Sequence, residues 1–184
     1  SMGGKHGAYN DARDMFPASV DIVRQLQPKA FVFENVKGLT RSAFHNYFEY
    51  IRLQLEFPEM PQRKNEDWQG HYVRLQSAHS SGTQHGKALT YRLQTHLVNA
   101  ADYGIPQRRE RVFIVGFRHD LDTTWSMPKP THSMSSLMYD LWISGDYWER
   151  NKIAKKNRPS PPWTGTASQR VVRQLSLIDE PLKP

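Results

Sequence analysis

The stretch Ala30–Leu39, AFVFENVKGL, decides the fold. Ala30, Phe31, Val32 and Phe33 are apolar without alternation, the pattern of a strand covered on both faces, as in a parallel sheet. Pro28 and Lys29 mark its start and Gly38 the turn after it. Glu34 and Asn35 then stand where the strand runs out, at the carboxyl edge where open α/β sheets bind ligands. A carboxyl can accept or donate a proton, and an amide beside it offers both a donor and an acceptor. That pair could read the edge of a heterocyclic base. The same two residues would also serve as a helix cap or a turn carboxylate.

Working outward, Gly3–Asn10 is a glycine-rich loop. Asp14 is a candidate cap for a helix whose inner face carries Met15, Ser19, Ile22, Val23 and Leu26, with Pro17 in the first turn. After the strand, Phe44, Tyr47, Phe48, Ile51 and Leu55 repeat at helical spacing until Pro58, and aromatics at that spacing read as core. Pro58–Gly70 reads as a polar loop, Tyr72–Leu75 as a short strand and Ser77–Lys87 as an exposed loop. Leu89–Val98 alternates, which predicts a strand with one wet face. Asn99–Arg109 is a connection, and Arg111–Phe117, RVFIVGF, is an apolar strand. Two strands so joined are expected to be antiparallel neighbours. Prolines then interrupt the chain, leaving one helix around Ser135–Ile153. A boundary near Pro130 divides residues 1–130 from residues 131–184, a helical or irregular extension.

Composition narrows the function. The 184 residues are 38% hydrophobic and 23% charged, enough apolar content for a core. The net charge of +7 is compatible with a polyanionic partner, although many basic proteins have none. There is no cysteine, so this chain carries no disulfide, thiolate metal site or cysteine nucleophile. No apolar run approaches the roughly 20 residues of a membrane span. Nothing at the amino terminus resembles a signal peptide, and Ser1-Met2 reads as a remnant of expression, so a cytoplasmic location is expected. Of eight histidines only His79 and His85 are close in sequence, short of a metal ligand set. Lys152, Lys155, Lys156 and Arg158, near Trp148 and Trp163, suit either a DNA backbone or a solvated basic linker.

The second informative stretch is Gln107–Arg111, QRRER, directly before the last strand. Its planar guanidinium forks suit phosphate oxygens and base acceptors, though a solvated basic turn has the same composition. Taken together, FENVKGL and LVNAADYGIPQRRERVFIVGFR resemble two blocks of the DNA cytosine-5 methyltransferase family, its Glu-Asn-Val block and its Gln-Arg-x-x-Arg block. YNDARDMF at Tyr9–Phe16 is similar to the family's segment leading out of the catalytic loop. HSMSSLMYDLWISGDYWER, from His132, resembles a region of a bacterial branch used in restriction-modification. The resemblance runs from Gly7 to about Arg150.

That resemblance implies a fold, a reaction and a set of site residues. The fold is a partial Rossmann-like methyltransferase sheet, mixed, with its last strand antiparallel. The reaction moves a methyl group from S-adenosylmethionine to C5 of a cytosine flipped out of double-stranded DNA, after an enzyme thiolate attacks C6. Glu34 would hydrogen-bond or protonate N3 and accept from the 4-amino group, its acid form favoured by burial beneath the base. Asn35 would brace the loop. Arg111 would donate to the cytosine O2, and Gln107, Arg108 and Arg109 would contact the loop or phosphates. Asp14 and Met15 would lie towards the cofactor. The family's Pro-Cys nucleophile block and its glycine-rich cofactor block are not matched in this sequence. The expectation is therefore a middle piece that is inert alone, binds cofactor poorly and needs an amino-terminal segment in cis or in trans. The alternative is a non-catalytic nucleic-acid-binding or regulatory subunit on the same scaffold.

Overall fold

The computed structural model describes residues 15–82, 88–105, 107–121 and 123–163. In chain order these form helix α1 (Phe16–Leu26), strand β1 (Ala30–Val36), helices α2 (His45–Glu56) and α3 (Trp68–Ser81), strands β2 (Tyr91–Asn99) and β3 (Glu110–Arg118), and two short helices, α4 (Met134–Tyr139) and α5 (Asp146–Arg150). The chain divides into two compact units. One is Ser1–Val98 with Glu110–Met127; the other is Asn99–Arg109 with Pro128–Pro184.

In the first unit β3 is the middle strand of three, in the order β1-β3-β2. It runs antiparallel to β1, with Ala30 opposite Phe117 and Val36 opposite Arg111. At one end of the β2–β3 ladder His119 N–H donates to Thr90 O at 2.9 Å; at the other Ala100 N–H donates to Arg109 O at 3.0 Å. Partner numbers that run in opposite directions make this pair antiparallel too, as expected for consecutive strands joined by a short connection. This is a mixed helix-and-sheet fold consistent with part of an α/β methyltransferase domain.

One face of the sheet carries the main core. Phe31 and Phe33 of β1, Tyr91 of β2, and Val112 and Ile114 of β3 pack with Val20 and Val23 of α1 and with Phe48, Ile51 and Leu55 of α2. The α2 stripe is the one its spacing predicts. The α1 stripe is met only in part, at Val23. Phe16, Val20 and Val23 turn inward, whereas Met15, Ile22 and Leu26 are exposed. Two adjacent apolar stripes run along this helix, and spacing alone does not say which one the sheet takes. Asp14, the expected cap, lies outside the described residues; Met15 occupies the cap position and Ser19 Oγ donates to its carbonyl at 2.8 Å.

Three further features differ from expectation. β1 is not covered on both faces within this chain. Its burial alternates along its length, with Val32 61% and Val36 55% exposed. Tyr72–Leu75 is helical, not extended, and so is Ser77–Ser81. The helix is started by Asp67, whose Oδ1 accepts from Gly70 N–H at 2.8 Å, and it ends at Gly82 with φ +63°. His71, Leu75 and Ala78 are its buried residues, and a histidine and an alanine in that stripe hide the helical period. His71 Nε2 lies 2.7 Å from Met60 O and Nδ1 2.7 Å from Tyr50 OH. A carbonyl only accepts, so Nε2 bears the hydrogen and the tyrosine hydroxyl donates to Nδ1. Burial lowers the pKa of this imidazole, in keeping with that neutral form.

In the second unit the expected single helix around Ser135–Ile153 is two. Ser133 Oγ accepts from Ser136 N–H at 3.0 Å to start α4, a wide turn continues over Asp140–Ser144, and Gly145 at φ +79° separates it from α5. Trp148 is buried, donates from Nε1 to Leu141 O at 2.6 Å and meets Trp142 edge-on, which also meets Trp163. Arg150 pairs with Asp140, and Arg158 with Glu149 at 2.7 Å, while Lys152, Lys155 and Lys156 are exposed.

Candidate active-site residues

β1 puts Glu34 and Asn35 on opposite faces, because side chains alternate along a strand. Asn35 lies on the core side, opposite Val112, and its Oδ1 accepts from Val36 N–H at 2.7 Å. Glu34 lies on the open side, opposite Phe113, with its side chain 47% exposed. Beyond Val36 the chain winds into a tight turn, Lys37–Thr40, pinned by the buried Leu39.

The antiparallel register then brings together two residues far apart in sequence. Val36 is opposite Arg111, so Arg111 and Glu34 are diagonal neighbours on one face, within reach of long side chains. Arg111 Nε lies 2.7 Å from Glu34 Oε1, and Nη1 donates to Glu110 O at 2.8 Å. The arginine is only 22% exposed and held at two points. A second ion pair closes the same end of the ladder, Lys37 Nζ to Glu110 Oε1 at 2.6 Å. Among the described residues Glu34 Oε2 and Arg111 Nη2 bond nothing else. The pair offers an acceptor and a donor side by side at the edge of the sheet, the complement of a ligand carrying the reverse pattern.

The other predicted residues fall elsewhere. Gln107, Arg108 and Arg109 belong to the second unit and are exposed. Met15 is 68% exposed at the start of α1, and its carbonyl is already taken by Ser19. The sequence alone assigns no role to Lys37 or Glu110, although both stand inside the quoted motifs. The register is what pairs them, and it is not written in either motif alone. Asn99 is likewise silent in the sequence; its Oδ1 accepts from Ala101 N–H and Arg109 N–H.

Residues 1–58 and 75–173 match the family model described as C-5 cytosine-specific DNA methylase, and Glu34, Arg111 and the QRRER turn all lie within the match. The chain belongs to that family. It is 35% identical over its whole length to the type II methyltransferase M.AquIA of a Picosynechococcus species, covering 64% of that protein. It is 28% identical to the type II methyltransferase M.NgoMIV of Neisseria gonorrhoeae over 81% of this chain and 39% of that one. It is also 28% identical to M.HhaI of Haemophilus parahaemolyticus, a type II methyltransferase, over 85% of this chain and 39% of the relative. The chain thus spans less than two thirds of the length of these relatives.

Proposed function

We propose that this chain forms part of a DNA cytosine-5 methyltransferase and carries the groups that hold the target base. In this reading Glu34 faces the Watson–Crick edge of an extruded cytosine. Its acid form donates to N3 while the other oxygen accepts from the 4-amino group, which makes the ring easier to attack at C6. Arg111 donates to O2 and keeps the carboxyl aimed. Arg108 and Arg109, with Gln107, contact phosphates of double-stranded DNA. The observation that carries the proposal is the Glu34–Arg111 pair at 2.7 Å, with one oxygen and one guanidinium nitrogen left open among the described residues.

The family implies S-adenosylmethionine as the methyl donor. Of the residues assigned to it, Met15 presents only a thioether and a carbonyl already bonded to Ser19, a donor set that does not hold a ribose or an amino-acid cation. The thiolate that attacks C6 comes from outside these cysteine-free 184 residues, from an amino-terminal segment in cis or in trans. Apolar groups turned to solvent on β1 and α1, Val32 and Val36 with Ile22 and Leu26, support such a partner segment. No described helix is long and apolar enough to cross a membrane. A cytoplasmic place in restriction-modification accords with this reading.

Transfer of a labelled methyl group to cytosine tests it. The chain alone is expected to transfer none. The chain fused to, or mixed with, a segment bearing the Pro-Cys and glycine-rich blocks is expected to methylate duplex DNA at C5. Methylation by the chain alone, or none by a folded, cofactor-binding reconstituted protein, contradicts the proposal.

A further inference from the structure

The turn carrying Gln107, Arg108 and Arg109 is tied across its base by a single side chain. Asn99 stands at the end of β2, and its Oδ1 accepts from Ala101 N–H at 3.3 Å and from Arg109 N–H at 3.1 Å. One amide oxygen therefore joins the entry of the connection to its exit. The backbone bond from Ala100 N–H to Arg109 O, at 3.0 Å, closes the same base. Within the loop Ile105 N–H donates to Ala100 O at 3.2 Å and Gln107 N–H to Ile105 O at 2.7 Å. From the other side Asp102 O accepts from both Thr131 N–H and His132 N–H at 3.0 Å. Gly104, at φ +87°, runs so close to His132 that a Cβ there would sit 2.9 Å from the imidazole Cε1.

The outcome is a turn hydrogen-bonded across its base with free tips. The side chains of Gln107, Arg108 and Arg109 are exposed, and none bonds another described residue. Long cationic side chains lose rotamer freedom when they bind, so a turn whose backbone is already ordered leaves less to lose. Both guanidinium groups are then carried on neighbouring positions of one tied turn, which suits successive oxygens of a polyanion.

We propose that Asn99 is the positioning residue of a phosphate-binding turn, acting through Arg108 and Arg109 on the backbone of duplex DNA. This rests on the reading of the chain as part of a DNA methyltransferase. An oxygen acceptor at position 99 is the requirement, because both bonds run to Oδ1.

The test is the salt dependence of binding to a labelled duplex, measured by fluorescence anisotropy. Replacing both Arg108 and Arg109 by alanine should reduce the log–log slope by about 1.8, at about 0.9 for each phosphate left unneutralised. Asn99→Ala should reduce it by about 1, with both arginines still present. Asn99→Asp keeps the acceptor and should restore the parental slope, at lower affinity because of its added charge. Hydrogen exchange at the Arg109 amide should be about tenfold faster in Asn99→Ala and unchanged in Asn99→Asp. Parental slope and parental exchange in Asn99→Ala, where the double arginine variant has lost slope, overturn the role of Asn99 alone. A parental slope in the double arginine variant overturns the inference together with the assignment of these arginines to DNA. If Asn99→Ala does not fold, Asn99→Asp decides, and a reduced slope in that variant contradicts the proposal.

Discussion

Glu66 and Arg74 form a two-pronged ion pair, Nε to Oε1 at 2.9 Å and Nη2 to Oε2 at 2.7 Å, while Arg63 N–H donates to Oε2 at 2.8 Å. The Arg74 bond, then the Arg63 N–H, hold the Glu66 carboxyl down at about 2, from an ordinary value of 4.5. A depressed carboxyl stabilises the fold above its unfolded value, and that contribution is lost as pH falls from about 4.5 through about 2. Glu66→Gln should therefore flatten the fall of stability with acid in that window, as read from urea unfolding at a series of pH values; an unchanged fall contradicts the pairing. Both residues lie between the two stretches that match the family model. Their ion pair is invisible in the sequence, where Pro58–Gly70 is merely polar. Glu34 and Arg111 are legible one at a time, because each stands in a motif of specific composition. Their contact is not, since it depends on a register that pairs Val36 with Arg111.

At the level of elements, the packing of Phe31 from β1 across β3 rests on one missing side chain. Gly116 lies opposite Phe31, and a Cβ there would come 2.3 Å from the ring's Cζ. The ring has little room to yield, for it packs against Phe33 with centroids at 5.2 Å and against Tyr91 at 4.9 Å. Gly116→Ala should cost about 1–3 kcal/mol in urea unfolding, the usual range for overpacking a core, and a neutral result would mean that Phe31 moves aside freely. The strands are readable from their apolar runs and the α2 helix from its aromatic spacing. The choice between equivalent faces is not. Along α1 the stripe through Met15, Ile22 and Leu26 is as apolar as the one through Phe16, Val20 and Val23. Along β1, Val32 matches Phe33 in polarity although only the phenylalanine meets the core. In α3 the buried positions include His71, which is polar by composition and buried because Tyr50 and Met60 satisfy both its nitrogens.

At the scale of the whole molecule, the proposed enzyme takes its base-facing carboxyl from this chain and its thiolate from another segment. The reconstituted enzyme carrying Glu34→Gln tests this most directly. Glutamine keeps the shape and one acceptor but cannot give up an acid proton at N3. Turnover should fall by roughly 10²–10⁴-fold, the range for loss of a general acid, while affinity for S-adenosylmethionine stays at the parental value, because the proposal sets Glu34 against the base and not the cofactor. A Glu34→Gln enzyme that methylates DNA at the parental rate would contradict the assignment and leave the strand-end carboxylate a structural partner of Arg111.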